Sequence, residues 1–175
     1  MKRLISLIVG GMCCLSAWAQ GSIPLLDKVQ GHRVTFHYTY SLSRSGGDFK
    51  PVTDGAVTLE GNAYTLEGLG LEVISNGETR WSVDREAREL VIETVEKEDI
   101  FTNPALFIGS YKQHLEKMQV NASGAAFLDV TLTLDEDAQA RFLLTDIVYM
   151  EPKGKSDFSL DEKSLSKDYV VTDLR

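Results

Sequence analysis

Cysteine is almost absent from this chain of 175 residues, and its two cysteines, Cys13 and Cys14, are neighbours near the N-terminus. The rest of the sequence therefore has neither a disulfide framework nor a cysteine-ligated zinc site. The three histidines, His32, His37 and His114, are scattered and lack the paired spacing of metal ligands. We predict no metal site and no cofactor, and a fold held together by its hydrophobic core alone.

Positive charge is scarce as well. The chain has 18 Lys and Arg residues against 26 Asp and Glu residues, which gives a formal net charge of −8. No basic stripe is available to displace counterions from phosphate groups. A nucleic-acid partner is therefore not expected.

The common motifs of catalysis are missing. The sequence has no Gly-x-Ser-x-Gly elbow, no phosphate-binding loop and no dinucleotide-binding glycine pattern. The acidic turn at residues 135–137 lacks the glycine and the distal glutamate of a calcium loop, and is typical of a solvated turn. We expect that the chain is not an enzyme, although carboxylates that folding brings together in a cleft stay open as an alternative.

A long hydrophobic run occurs once, at the N-terminus. Lys2 and Arg3 precede the apolar residues 4–15, and Ala17-Trp18-Ala19 follows as a small-x-small cleavage site. This pattern predicts a signal peptide over residues 1–19, cleaved near Ala19, and one mature domain over residues 20–175. The run is too short for a comfortable membrane span.

Two alternatives stay open for this N-terminal segment. It could be an uncleaved anchor, or Cys13 could carry a lipid, although Met12 is larger than the residues that usually precede a lipid-attachment cysteine. Loss of Lys2 and Arg3 on cleavage takes the formal charge from −8 to −10. That charge helps to keep an exported domain without disulfides in solution.

Residues 55–95 contain the most regular pattern of the sequence. Short alternations of apolar and polar residues are separated by Gly61-Asn62, Asn76-Gly77 and an acidic-basic turn, which predicts a run of antiparallel hairpins. Ten apolar residues recur at period two, and we expect them to line one face of a single sheet. These residues are Val57, Leu59, Tyr64, Leu66, Leu71, Val73, Trp81, Val83, Leu90 and Ile92.

The elements before the hairpins are predicted from the helical and the strand periodicity of apolar residues. Residues 22–30 are expected to form a short amphipathic helix that has Pro24 in its first turn and is stopped by Gly31. Residues 32–42 are predicted to form a strand, and residues 43–54 a polar loop rich in serine and glycine.

The second half of the chain is predicted to return to the sheet after one helix. Helical spacing of Phe107, Tyr111 and Leu115 predicts a helix over residues 103–118, capped by Asn103, and its tail beyond Tyr111 could instead be a strand. A further hairpin is expected over residues 127–134 and 140–150. Short closing strands or extended segments are expected at residues 158–160 and 169–174.

Three ordered motifs resemble the outer-membrane lipoprotein carrier family, which is called LolA-like. They are the hairpin at residues 72–83, which reads EVISNGETRWSV, the helix start Asn103-Pro104, and the ending VVTDLR at residues 170–175. The resemblance implies a mainly antiparallel β fold with α-helices, an unclosed and strongly curved β-barrel whose concave face the helices cover. It also implies a monomeric periplasmic carrier that shields the acyl chains of lipoproteins or other lipids.

In that family the cargo passes from an inner-membrane transporter to an outer-membrane acceptor. Two features of this chain differ from the family pattern. Glu60-Gly61-Asn62 occupies the place of an arginine that helps to hold the family's helices closed, and residues 118–142 are shorter, as if part of a hairpin were missing.

Exposing an acyl chain to water is unfavourable, because burying each of its methylene groups lowers the free energy by about 0.8 kcal/mol. A lined concavity is therefore needed to carry one, and the inner side of a curved sheet can supply it. Eight residues are expected to line a lipid-binding cavity: Phe36, Tyr38, Tyr40, Tyr64, Leu66, Val73, Trp81 and Val83. Three residues are expected on its lid helix: Leu106, Phe107 and Tyr111.

Two other interpretations stay open. The same residues could form an ordinary dry core beneath the helices. The fold could also serve a non-transport role, as a lipid-sensing or envelope interaction module.

Overall fold

The computed structural model describes residues 22–68, 70–95, 104–165 and 167–175. In these residues the molecule is mainly antiparallel β, with short helices. The ten strands have the following bounds: β1 Arg33–Arg44, β2 Lys50–Glu60, β3 Ala63–Gly68, β4 Leu71–Ser75, β5 Thr79–Asp84, β6 Glu89–Thr94, β7 Met118–Ser123, β8 Leu128–Thr133, β9 Ala138–Met150 and β10 Val170–Asp173.

The strands form one sheet that is not closed. Their order is β10-β6-β5-β4-β3-β2-β1-β9-β8-β7, so β10 and β7 are its two edges. Neighbouring strands are antiparallel except β10, which pairs parallel with β6. The predicted signal peptide lies outside the described residues.

The helices are short. Two are α-helices, α1 Pro24–Asp27 and α2 Pro104–Ser110, and three are 3₁₀ helices, Tyr111–Lys117, Lys155–Phe158 and Glu162–Ser164. Within the described part of the chain, no helix combines the length and the hydropathy needed to cross a membrane. The helix predicted over residues 22–30 is confirmed only in part: α1 covers Pro24–Asp27, with Pro24 in its first turn, and turns follow up to Gly31, which has a φ of 83°.

The predicted run of hairpins is confirmed as strands β2 to β6. Gly61 and Gly77 adopt φ values of 62° and 93°, as the tight turns require. The Asn76 side chain accepts hydrogen bonds from the backbone N–H groups of Glu78, at 2.9 Å, and Thr79, at 2.8 Å. This Asx turn fixes the register of the β4–β5 hairpin.

The polar loop predicted over residues 43–54 was wrong in extent. Strand β1 continues to Arg44 and β2 already begins at Lys50, which leaves a loop of residues 45–49. Ser43 at the end of β1 is buried, at 4% exposure, and its hydroxyl donates to the Gly47 carbonyl of the loop. Residues 50–52 and 54 of β2 are exposed, so a polar composition there is compatible with strand pairing.

The helix predicted over residues 103–118 is confirmed only in part. Residues 104–110 are α-helical, but Tyr111–Lys117 is a 3₁₀ helix and Met118 begins strand β7. Strand β7 pairs with β8, so this hairpin is complete. The cap predicted at Asn103 lies outside the described residues.

The hairpin predicted over residues 127–134 and 140–150 is confirmed as β8 and β9. At residues 158–160 no strand forms: Phe158 ends a 3₁₀ helix and Ser159 is extended, as the alternative prediction has it. Phe158 is fully buried, with the Arg33 guanidinium 5.0 Å from its ring centroid. The buried Phe158 ring anchors this connecting segment to the rest of the fold without strand pairing. The closing strand predicted at residues 169–174 is confirmed as β10.

The apolar residues of the hairpins do not share one face, so that prediction was wrong. Residues directly opposite each other in an antiparallel pair lie on the same face. Val73 pairs with Leu66 and with Ser82, whereas Ile74 pairs with Trp81. Four of the ten predicted residues therefore lie on the opposite face, with Ile74: Trp81, Val83, Leu90 and Ile92.

The core is divided accordingly. One buried cluster lies on the face that the helices cover, and we call it the helix-covered cluster. The second lies on the other face of β4, β5 and β6, beneath residues 159–165 and 167–169, and we call it the C-terminal cluster. The change of face occurs at β4, where Val73 and Ile74 are consecutive apolar residues that point in opposite directions.

Candidate functional site

The helix-covered face is the candidate site. Residues 104–117, which we call the cover, contact β2 and β3 through α2 and contact β7 and β8 through the 3₁₀ helix. The cover therefore extends across the part of the sheet face between β3 and β7. Its side chains Phe107, Ile108 and Tyr111 are buried in the helix-covered cluster.

An aromatic stack joins the cover to the sheet. The ring of Phe107 lies 4.9 Å from that of Phe142 on β9, at an interplanar angle of 24°. Phe142 stacks in turn on Tyr40 of β1, at 5.0 Å and 26°. Offset stacks of this kind add about 0.5–1.5 kcal/mol beyond the burial of area. In the structure, the space beneath this part of the cover is filled by rings.

Tyr38 lies across two glycines. Gly55 of β2 and Gly68 of β3 are paired with each other, and Tyr38 is paired with Gly55. A Cβ atom added at Gly55 would lie 3.1 Å from Tyr38 Cε1, and one added at Gly68 would lie 3.1 Å from its hydroxyl. The absence of side chains at both positions makes room for the tyrosine ring on this face.

Six of the eight predicted lining residues lie together on this face. Phe36 and Tyr64 are buried in the helix-covered cluster, and Tyr38, Tyr40, Leu66 and Val73 are partly buried against it. Phe107 and Tyr111 of the predicted lid belong to the same cluster. The side chain of Leu106 lies outside what the structure describes.

Trp81 and Val83 do not belong to this face, and placing them there was wrong. Both are buried in the C-terminal cluster on the other side of the sheet. The Trp81 indole N–H donates to Glu162 Oε1 at 3.1 Å, and Tyr169 and Leu160 pack against the cluster. The register of the β4–β5 hairpin is the physical reason, because it pairs Trp81 with Ile74.

A polar latch holds the cover to α1. The Tyr111 hydroxyl donates to Asp27 Oδ1 at 2.7 Å and accepts from the Ile23 backbone N–H at 3.0 Å. Lys112 Nζ lies 2.7 Å from the same carboxylate oxygen. We call Asp27, Tyr111 and Lys112 the latch.

The latch contains an ion pair between Asp27 and Lys112. Hydrogen bonds from Lys112 and Tyr111 hold the pKa of Asp27 below its usual value. The hydrogen bond to Asp27 raises the pKa of Lys112, so the pair stays charged at neutral pH. Sequence reasoning missed Asp27 and Lys112, because single charged residues in two helices that are distant in sequence give no signal of contact.

The face beneath the cover is apolar. Burial raises the pKa values of Tyr38 and Tyr40, so their hydroxyls stay neutral at physiological pH. Among the described residues, no group of three or more His, Cys, Asp and Glu side chains is arranged to hold a metal ion. What this face offers chemically is hydrophobic and aromatic surface, with polar hydroxyls at a few points.

No protein-family model matches the chain, and no curated protein matches its sequence. One solved structure that the chain matches is described as the crystal structure of an uncharacterized conserved protein from Thermus thermophilus. The similarity covers 86% of this chain and 95% of that chain, with a TM-score of 0.46 and 8% sequence identity. A likeness at this level carries no argument about function.

Proposed function

We propose that the protein is a periplasmic carrier that shields the acyl chains of lipoproteins or other lipids for transfer toward the outer membrane. The sheet would be the unclosed, curved barrel of the lipoprotein carrier family, and the acyl chain would lie between it and the cover. One observation carries the proposal: an aromatic sheet face lies beneath a short helical cover that a polar latch fastens to α1.

The cover is suited to movement. It consists of α2, with seven residues, and a 3₁₀ helix, also with seven residues. Isolated helices of this length are marginal in water, and 3₁₀ hydrogen bonds have poorer geometry than α-helical ones. The cover therefore depends on its contacts with the sheet, and a ligand that supplies other contacts can displace it.

The energies of this exchange are of similar size. Exposing Phe107, Ile108 and Tyr111 would cost roughly 5–9 kcal/mol, at about 1.5–3 kcal/mol for each side chain. Burying a palmitoyl chain would gain roughly 12 kcal/mol from its methylenes. The cover can thus give way to cargo and return when the cargo leaves, which is what a carrier needs.

Irregularities in the strands support curvature. β-bulges bend strands, and the pairing of β1 shifts register against β2 between Tyr40 and Ser41 and against β9 between Thr35 and His37. Asp146, with a φ of 54°, lies at the second of these bulges. Both bulges lie on or beside β1, in the middle of the sheet.

The test uses residues 20–175 and a fluorescently labelled peptide with an N-terminal palmitoyl group. The control ligand is the same peptide without the acyl chain, and binding is followed by fluorescence anisotropy. We expect binding of the acylated peptide only. Equal binding of both peptides, or of neither, would overturn the proposal.

Two neighbouring residues of β3 provide matched variants. Leu66 faces the helix-covered cluster, whereas Thr65 pairs with Ile74 and lies on the opposite face. Leu66→Arg is expected to abolish binding of the acylated peptide, and Thr65→Arg to retain it. Circular dichroism establishes that both variants fold.

A non-transport interaction module is the second candidate, and the edge strand β10 favours it. Val170, Val171 and Leu174 are 63%, 54% and 64% exposed at this edge of the sheet. An exposed apolar edge strand is a ready site for pairing with another chain. Binding of the peptide regardless of acylation, lost in Val171→Lys and retained in Leu66→Arg, would favour this candidate.

A further inference from the structure

A polar cavity lies on the sheet face opposite the cover, where β7, β8 and β9 meet the loop between β1 and β2. Its volume is about 330 Å³. Six side chains line it: Phe49, Gln119, Asn121, Thr131, Gln139 and Arg141. Their neighbours along these strands, Val120, Val130 and Phe142 among them, face the helix-covered cluster instead.

The register brings the polar residues into one row. Thr131 of β8 pairs with Gln119 of β7 on one side and with Arg141 of β9 on the other. The pairing of β7 with β8 shifts between Val120 and Ala122, so Asn121 is the extra residue of a bulge. Bulges re-aim side chains and occur often beside functional sites.

A buried carboxylate organises the cavity floor. Asp129 accepts hydrogen bonds from Arg141 Nε to Oδ1, at 2.9 Å, and from Arg141 Nη2 to Oδ2, at 2.5 Å. Asn121 Nδ2 donates to Asp129 Oδ1 at 3.0 Å and to Thr131 Oγ1 at 2.9 Å. Asp129 and Thr131 are 7% and 8% exposed, although no helix covers this part of the sheet among the described residues.

Four hydrogen bonds link Arg141, Asn121, Asp129 and Thr131 into one network before any ligand arrives. Hydrogen bonds from Arg141 and then Asn121 hold the pKa of Asp129 below its usual value. The carboxylate is thus ionised at neutral pH and its charge is matched by the guanidinium. Holding polar groups in place in advance lowers the entropic cost of binding.

An aromatic wall is supplied by the loop at residues 45–49. The loop turns through Ser45 and Gly46, with φ values of 51° and 69°, and the buried Ser43 hydroxyl donates to the Gly47 carbonyl at 2.6 Å. Phe49 at its end is half-buried, whereas residues 45–48 are exposed. Its ring centroid lies 5.9 Å from Arg141 Cζ.

The chemistry of these groups selects a neutral ligand rich in hydroxyl groups. An anion would meet the Asp129 carboxylate and a cation would meet Arg141, and the two charges already neutralise each other. Gln119 and Gln139 each offer both donors and acceptors, and Arg141 has five N–H donors of which two are used by Asp129. Hydroxyl groups donate and accept, so they satisfy such a mixed set.

We propose that this cavity is a saccharide-binding site. The polar floor would bind hydroxyl groups of a sugar ring, and the apolar C–H face of that ring would lie on Phe49. The volume of about 330 Å³ is at the lower end for small-molecule sites, which fits one or two sugar units. The site is independent of the carrier proposal, because it lies on the other face of the sheet.

The experiment is a titration of ¹⁵N-labelled residues 20–175 followed by NMR. The probes are glucose, galactose, mannose and N-acetylglucosamine, each up to about 50 mM, with inorganic phosphate as an anionic comparison. The signals to follow are the side-chain amides of Asn121, Gln119 and Gln139 and the Nε–H of Arg141. At least one sugar is expected to shift these signals in a saturable way, and phosphate is not.

Two variants and one matched control locate the binding. Phe49→Ala and Gln139→Ala are each expected to weaken sugar binding by about tenfold, the effect of losing one good contact. Phe127→Ala is the control, because Phe127 is also a partly exposed phenylalanine, at 41%, but lies in the β7–β8 turn outside the cavity. The affinity of the Phe127→Ala variant for the sugar is expected to equal that of the unmodified chain.

Several results would overturn the proposal. These are the absence of saturable shifts with every sugar, binding of phosphate in preference to sugars, and sugar binding that survives both variants. A chain preloaded with the palmitoylated peptide is expected to bind sugar unchanged. Loss of acyl binding therefore would not count against this site, nor loss of sugar binding against the carrier.

Discussion

The two hydrophobic clusters of this molecule share one sheet but are closed in different ways. Among the described residues, the helix-covered cluster has eighteen buried members and the C-terminal cluster has five. The larger one is covered by helices, and the polar latch joins α1 to the middle of the cover, where α2 meets the 3₁₀ helix. The smaller one lies beneath residues that continue into a strand of the same sheet, so its cover is tied down by backbone hydrogen bonds.

The difference indicates which side can open. Removing the cover of the C-terminal cluster requires breaking the parallel pairing of β10 with β6 and the bond from Trp81 to Glu162. Removing the helical cover breaks side-chain contacts and the latch, while the strands stay paired. If this contrast is correct, perturbations of the two sides will affect stability and uptake differently.

The largest effect is expected from Phe142→Ala. Phe142 is 8% exposed and stacks on both Phe107 and Tyr40, so its loss should reduce the free energy of unfolding by about 3–5 kcal/mol. Urea denaturation measures this. Leu143→Ala, on the other face of the same strand, is the control, and its loss is expected to be less than half as large. Equal losses would contradict the assignment of faces.

Trp81→Ala probes the C-terminal cluster. Trp81 is 6% exposed, and its removal is expected to cost about 3 kcal/mol, the lower end for tryptophan, because a small cluster near an edge can partly collapse. Trp81→Phe keeps an aromatic ring at this position but removes the hydrogen bond to Glu162. The free energy of unfolding is therefore expected to fall by about 1 kcal/mol. The prediction fails if Trp81→Ala lowers uptake of the palmitoylated peptide while stability is unchanged.

Asp27→Asn tests the latch. The substitution keeps the shape of the side chain but removes the charge that faces Lys112, so the cover should open more often. We expect the stopped-flow uptake rate of the palmitoylated peptide to rise severalfold. Asp173→Asn is the control, since Asp173 also pairs with a basic residue, Arg175, but lies on β10. A rise in both variants would assign the effect to charge rather than to the latch.

A pH titration gives a smaller effect of the same origin. The pKa of Asp27 is lowered in the folded protein, so the latch contributes stability above the ordinary aspartate value and loses it as the pH falls through the folded pKa. Uptake should therefore be constant from pH 7 down to about pH 4 and should rise below that. The rise should be absent in Asp27→Asn. A rise between pH 7 and 5 would point to another group.

The smallest expected change is in the fluorescence of Trp81. It is the single tryptophan of residues 20–175, because the other, Trp18, lies in the predicted signal peptide. A ligand beneath the cover lies on the opposite face of the sheet from Trp81. Its emission maximum should stay fixed during uptake of the palmitoylated peptide. A clear shift would place the ligand, or a rearrangement, on the C-terminal side.

Local patterns predicted the strands and turns well. Asn76-Gly77 and Gly61-Asn62 specify tight turns because of their backbone preferences, and period two identifies which residues of one strand share a face. These are properties of a few neighbouring residues, so a single sequence contains them. The hairpin run and α1 were predictable for this reason.

The relation between strands was less predictable. Strand β4 has apolar residues on both faces, Leu71 and Val73 on one and Ile74 on the other. Only the register of the β4–β5 hairpin decides which of these faces Trp81 shares, and it pairs Trp81 with Ile74. The polar cavity escaped notice because Thr131 and Arg141, read along single strands, look like an ordinary solvent-facing side. Contacts between distant segments, such as that of Asp27 with Lys112, leave no local trace.

The parallel pairing of β10 has a consequence for the order of assembly. Val170 pairs with Glu89, about eighty positions earlier in the chain, so β6 must wait for its last neighbour long after it has been synthesised. Contacts between residues so far apart in sequence form slowly, because a large loop has to close first. During that interval the indole of Trp81 and its apolar neighbours are open to water. A chain with such a delay keeps the C-terminal cluster incomplete until its last residues are available.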